Sequence, residues 1–135
     1  MKKYEILEHK ADLKIRALGK TKEELFLNML LGMANSQKPE IKNKKEIRRE
    51  IKIKSPDLPS LLVDFLSEAL YLSQVNKEVY NNVNFKKITD KELEGELIGQ
   101  KVERFGEDIK AVTHHSLDIR QLSSGVWEAN VLFDI

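Results

Sequence analysis

The last nine residues alternate without a break: Trp127, Ala129, Val131, Phe133 and Ile135 fall on one side of an extended backbone, and Glu128, Asn130, Leu132 and Asp134 on the other. Successive side chains of a strand point to opposite faces, so this segment is built to cover a core with one face. The pattern excludes a terminal helix and commits the end of the chain to a sheet. Upstream, residues 109–122 form a second extended stretch, and Ser123-Ser124-Gly125 separates the two. A three-residue loop with glycine in a left-handed position is a common hairpin connection. The spacing predicts an antiparallel hairpin over 109–135.

The rest of the chain supplies what such a hairpin needs to pack against. Residues 4–8 and 12–18 read as two short strands, with Leu13, Ile15 and Ala17 alternating against Lys14 and Arg16, and Gly19 ending the second. Thr21-Lys22-Glu23-Glu24 has the form of a capping box, the threonine hydroxyl accepting from an amide while the glutamate reaches back. The helix it opens should bury Leu25, Met29, Leu30 and Met33 and fray over 32–36. The polar stretch 39–45 reads as a loop, and Ile47, Ile51 and Ile53 among charges mark a strand with Ile51 and Ile53 inward. Leu58, Leu61, Leu62, Phe65, Leu66, Ala69 and Leu70 recur at steps of three and four, an amphipathic helix over about 57–76 with Pro59 in its first turn. Val83, Phe85 and Ile88, then Leu93, Leu97 and Val102, mark two more strands. With no repeat, linker or low-complexity run, the order describes a single α+β domain over 1–135, a mainly antiparallel sheet with two helices packed on it.

Composition narrows the chemistry. The 135 residues contain no cysteine, which removes disulfides, thiolate metal sites and cysteine nucleophiles. Lys and Arg number 23 against 22 Asp and Glu, so the net charge of +1 gives no strong electrostatic footprint for nucleic acid. The run 42–54 is locally basic, and reads as a solvated strand face and loop in preference to an RNA-contacting patch. No signal-peptide-like apolar stretch opens the chain and no run of about 18 apolar residues could span a membrane, which sets the expectation of a cytoplasmic protein. Phosphate loops, paired-cysteine zinc motifs and helical histidine-zinc motifs are missing.

Three clusters could carry function. Glu8-His9-Lys10-Ala11-Asp12 gathers ionisable groups where one strand gives way to the next, although Asp12 binding backbone amides and a half-buried His9 would look the same. Lys110-Ala111-Val112-Thr113-His114-His115 carries adjacent histidines, which face opposite sides of a regular strand and cannot share a metal without a bulge. Asp134 and the Ile135 carboxylate bring two anions together at an ordered end. They repel unless a cation or a basic group such as Lys110 sits between them, and hard oxygen ligands favour Ca2+ or Mg2+ over zinc. If Leu122 pairs with Val126, opposed residue numbers sum to 248, which sets His114 opposite Asp134 and His115 beside Phe133.

Taken together, Tyr4 through Asp12, Ile15-Arg16-Ala17, Gly19-Lys20-Thr21, Glu23-Glu24-Leu25-Phe26, Lys110 through His115 with Leu117, Trp127-Glu128-Ala129 and Asp134-Ile135 resemble the archease family over nearly the whole chain. Lys10, Lys14 and His114 depart from its pattern. The resemblance implies an accessory protein, itself no enzyme, that activates an RtcB-type tRNA-splicing RNA ligase by promoting its guanylylation and multiple turnover. It implies metal ligands at Asp12, Asp134 and the Ile135 carboxylate, with Ca2+ the first choice of divalent cation and Mg2+ or Mn2+ as alternatives. Lys110 falls on the lysine of the tail motif as a functional neighbour, and His9, His114 and His115 occupy nearby positions. The implied partner is the ligase, with tRNA met only through it. A chaperone or binding module for an RNA-modifying enzyme such as a tRNA methyltransferase is the alternative. A stand-alone metal-dependent hydrolase using Asp12, His115 and Asp134 is a third reading, but no nucleophile, base and orienting group can be assembled for it.

Overall fold

A computed structural model describes residues 2–8 and 12–135, which form eight strands and two helices. In chain order they are β1 (Tyr4–Glu8), β2 (Asp12–Gly19), α1 (Lys22–Ser36), β3 (Pro39–Ile41), β4 (Ile47–Lys54), α2 (Leu58–Asn76), β5 (Glu78–Ile88), β6 (Glu92–Phe105), β7 (Ala111–Gln121) and β8 (Trp127–Asp134). The class is α+β with antiparallel pairing throughout, but the strands divide into two four-stranded sheets instead of one. The first has the order β1-β2-β8-β7, so the second and last strands are its centre. In the second, the long strand β6 pairs with β4 and β5 over overlapping stretches, placing them on opposite edges, while β3 pairs with the far end of β6.

Both helices touch both sheets, α1 through β2 and β5 and α2 through β7, β5 and β4. Phe26 of α1, Phe65 of α2 and Phe85 of β5 make a tilted aromatic chain across this layer, with centroids 5.6 and 6.3 Å apart. Leu61, Leu62, Phe65 and Leu66 are fully buried. Each contributes about 1.5–3 kcal/mol by leaving water.

The helix starts follow their caps. Thr21 accepts from the Glu24 amide at 3.1 Å, and Glu24 reaches back to the Lys20 amide instead of that of Thr21. Asp57 accepts from the Ser60 amide at 2.8 Å and opens α2 with Pro59 in its first turn. Two expectations need correction. α1 does not fray at Gly32 but runs to Ser36. Gly32 is where the helix closes on the sheet: a Cβ there would lie 2.9 Å from Ile15 Cγ2 and 3.2 Å from the Tyr4 ring. Residues 39–45 are not all loop, because Pro39–Ile41 add to β6 as β3; three residues are too few to show a period. The basic run resolves into a strand face neutralised by its neighbour, with Arg48, Lys52 and Lys54 paired to Glu96, Glu94 and Glu92 of β6.

At Gly99 the backbone of β5 passes so close that a Cβ would sit 1.8 Å from the Val79 carbonyl oxygen, next to the bulge between Tyr80 and Asn82. We expect Gly99→Ala to destabilise the fold by about 3 kcal/mol, at the upper end of the usual overpacking range, because backbone and not side chain must move. Urea denaturation checks this; a change below about 0.5 kcal/mol would contradict it.

Candidate metal site at the paired ends of β2 and β8

Asp12 opens β2 and Asp134 ends β8, and the ladder between these strands sets the two residues directly opposite each other. Opposed residues of an antiparallel pair share a face, with Cβ atoms about 4.5–5.5 Å apart, and like charges there repel. Leu13, Ile15 and Ala17 take the core face of β2, so Asp12 lies on the outer face with Lys14 and Arg16. Asp134 is exposed. Asp12 is half-buried, and its Oδ1 is closed off from solvent with no hydrogen-bond partner among the described residues, the only buried side-chain oxygen or nitrogen among them left so. An unpartnered buried carboxylate oxygen is unfavourable by itself.

Lys110 meets this end through its backbone: its amide donates to the Asp134 carbonyl at 2.7 Å. Among the described residues its ammonium forms no ion pair with Asp134 or Ile135. His9 and Lys10, expected beside Asp12, lie outside the described residues.

The histidines of β7 are elsewhere than the hairpin register predicts. Next to the turn the expected pairing holds, from Gln121↔Trp127 to Asp118↔Asn130, and Gly125 sits at φ 90°. Pairing then resumes at Thr113↔Leu132, so five steps along β7 match two along β8 and three extra residues are looped out. Ala111, not His114, is therefore opposite Asp134, and Val112, not His115, is opposite Phe133. His114 and His115 are exposed on this bulge, where Ser116 takes a left-handed φ of 56°. The bulge carries His114 toward the start of α2. There the Asp57 carboxyl is held below its ordinary range by the Ser60 amide, then by the Ser60 hydroxyl, with the charge of His114 adding to both.

The donor set at Asp12 and Asp134 fits a hard cation: two opposed carboxylates, one with a buried oxygen that has no partner among the described residues. Among the described residues no three Asp, Glu or His side chains cluster as ligands. An ion there would need backbone oxygens and water to complete its shell.

Against known proteins, the sequence profile of the Archease protein family (MTH1598/TM1083) matches residues 4–135. The chain belongs to the archease family. It is 42% identical to the protein archease of Methanosarcina barkeri, over 99% of this chain and 97% of that one, and 34% identical to that of Pyrococcus furiosus over the whole of both. The solution structure of Methanobacterium thermoautotrophicum protein 1598 superimposes with a TM-score of 0.72 at 29% identity, covering both chains completely. A Thermotoga maritima crystal structure, described as an archease and possible chaperone, has the same fold, with a TM-score of 0.68 at 21% identity over 96% of this chain and 94% of that one. No helix among the described residues is long and apolar enough to cross a membrane.

Sequence reasoning missed two buried carboxylates in this archease-family chain. Glu78, fully buried at the start of β5, accepts from Arg49 Nε and Nη2 at 2.9 and 2.7 Å and from the Tyr80 hydroxyl at 2.6 Å, with Lys101 at 3.4 Å. Burial pushes its carboxyl up, but Arg49, Tyr80 and Lys101 together outweigh that and hold it below the ordinary range; burial and the same carboxylate push the Tyr80 hydroxyl up. On the outer face of the first sheet, Glu128 is held between Arg120 at 2.8 Å and Arg16 at 3.5 Å. Glu128 stands in the largely apolar run 126–133, a signal that was available, whereas Glu78 follows Asn76-Lys77 in a polar stretch and gave none; the charged partners of both come from other strands.

A carboxylate with a lowered folded-state pKa stabilises fully above its unfolded pKa, and that contribution is lost as pH falls through the folded value. We expect Arg49→Met to destabilise by about 2–3 kcal/mol at pH 7, as removal of charged hydrogen bonds does. The deficit should shrink as pH falls through the range where Glu78 protonates in the variant, which lacks Arg49, but not yet in the wild type, whose carboxyl is held lower. Denaturant titrations at pH 7 and pH 3 test this, and an equal deficit at both would count against it.

Proposed function

We propose that this archease-family chain is an accessory protein that activates an RtcB-type RNA ligase, promoting its guanylylation and multiple turnover through a divalent cation held at Asp12 and Asp134. The supporting observation is the opposed carboxylate pair, with an Asp12 oxygen that has no partner among the described residues. Asp12, Asp134 and oxygens at Ile135 would hold the ion, with Ca2+ favoured and Mg2+ or Mn2+ as alternatives. When bound, such an ion supplies positive charge for a phosphoryl oxygen or for an anionic partner site.

The chain's own residues set how this is presented. The β2–β8 ladder holds Asp12 at the mouth of a rigid sheet, while exposed Asp134 and Ile135 project the same end toward a partner. Lys110, also exposed and fixed by its amide to the Asp134 carbonyl, adds an ammonium within reach of a phosphate approaching that end. His114 and His115 stand apart on the bulge and take no part in this arrangement.

Asp12→Asn keeps the shape and removes the charge. Without added metal it should stabilise the fold by about 0.2–1 kcal/mol, by removing opposed like charges. Millimolar Ca2+ should raise the Tm of the wild type but not of the variant, and the variant should leave multiple-turnover ligation by an RtcB-type ligase at the level without this protein. Full stimulation by the variant would reject the reading.

A chaperone role, for an RNA-modifying enzyme such as a tRNA methyltransferase, is the second reading. Tyr71 and Val75, one turn apart on α2 and 58% and 61% exposed, favour it by offering an apolar surface. That role predicts that suppression of partner aggregation survives Asp12→Asn and falls with Tyr71→Glu.

A further inference from the structure

Resting on that reading of the carboxylate end, the geometry points to Gln74 as a positioning residue that fixes Lys110 and Asp134 from α2. By pattern Gln74 is an exposed helix position between Tyr71 and Val75, with no reason to matter. Yet its side-chain amide donates to the Ile109 carbonyl at 2.7 Å. The next amide along the chain, that of Lys110, donates to the Asp134 carbonyl at 2.7 Å. Two consecutive bonds thus join α2 to the end of β8.

The segment between β6 and β7, residues 106–110, has no ladder of its own. At its start the Gly106 amide donates to the Lys38 carbonyl at 2.8 Å and the Glu107 amide to the Gln37 carbonyl at 3.1 Å, tying it to the end of α1. Farther on, Ile109 is 1% exposed and anchors the segment in the core. A buried side chain fixes depth but leaves the peptide plane able to rotate about it. The Gln74 bond removes that freedom, because it sets the direction of the Ile109 carbonyl and hence of the Lys110 amide in the same peptide unit. Side chains must be held to within about half an ångström for a binding constellation to work, and supporting hydrogen bonds supply that restraint. Gln74 also lines the roughly 300 Å³ groove between the end of α2 and this segment, beside Gln37, Phe105 and Ile109. The residue therefore touches neither cation nor partner in this account and acts only through the 109–110 peptide.

Three variants test the latch. Gln74→Leu keeps the size and removes the donor; Gln74→Glu keeps the shape and opposes a carboxylate to the Ile109 carbonyl; Gln74→Lys retains a donor long enough to reach it. Amide hydrogen exchange by NMR is read at Lys110 in the metal-free protein. Ca2+ affinity is read by calorimetry and multiple-turnover ligation with an RtcB-type ligase. We expect Lys110 exchange to quicken about fivefold, the factor one net hydrogen bond gives, in the leucine and glutamate variants and to recover in the lysine one. Ca2+ affinity should fall by a similar factor, with exchange in β2 and the core of α2 unchanged. Wild-type exchange at Lys110 and wild-type affinity in the leucine and glutamate variants would overturn the role of Gln74. A wild type that binds no Ca2+ and gives no stimulation would instead overturn the proposed function, while Lys110 exchange would still judge the latch.

Discussion

Everything proposed for this chain depends on one pairing: β2 against β8 over eight opposed residues, in the middle of the first sheet. Because that ladder runs from Gly19↔Trp127 to Asp12↔Asp134, the apolar alternation of the last strand meets the alternation of the second. Ile15, Ala17, Ala129, Val131 and Phe133 are all completely buried as a result. The same register that makes this core forces two aspartates together at its end. A slip of one residue would separate the carboxylates, but it would also turn every buried side chain of a strand to the outer face. The core therefore fixes the two aspartates opposite each other, and the proposed cation site rests on that placement.

The two helices extend this logic. They lie against both sheets and bring the α1 and α2 ends beside the segment that leads into β7. The Gln37 and Ser73 side chains bond each other at 3.2 Å, and Ser73 donates to the Glu78 carbonyl. The helix ends, the buried Glu78 cluster and the 106–110 segment thus form one connected support behind the carboxylate end. Rigidity there is what an accessory protein needs if it is to present a charge to another protein's active site at a set position.

Much of this was legible in the residues. Thr21 announced the first helix because capping is local, the apolar recurrence with Pro59 announced the second, and Ser123-Ser124-Gly125 announced the hairpin because a tight turn has strict backbone demands. The β7 bulge was not legible: His114, His115 and Ser116 are polar residues on an edge strand, where no buried face pins the register, so a regular hairpin remained the default. Nor was the pairing of Asp12 with Asp134, since strands from opposite ends of a chain share no local signal. It was the family resemblance that joined them, and the ladder supplies the geometry. Glu78 escaped notice because its charged partners lie on other strands, Lys101 on the adjacent β6 and Arg49 on β4 beyond it, and look like ordinary surface charges in sequence.

Backbone amide shifts on titrating the uniformly labelled protein with Ca2+ probe the central claim most directly. The account predicts saturable shifts centred on Asp12, Lys110, Ala111, Asp134 and Ile135, with the β4–β6 face and the His114–His115 bulge unmoved. Shifts confined to any other surface, or none up to millimolar Ca2+, would contradict it.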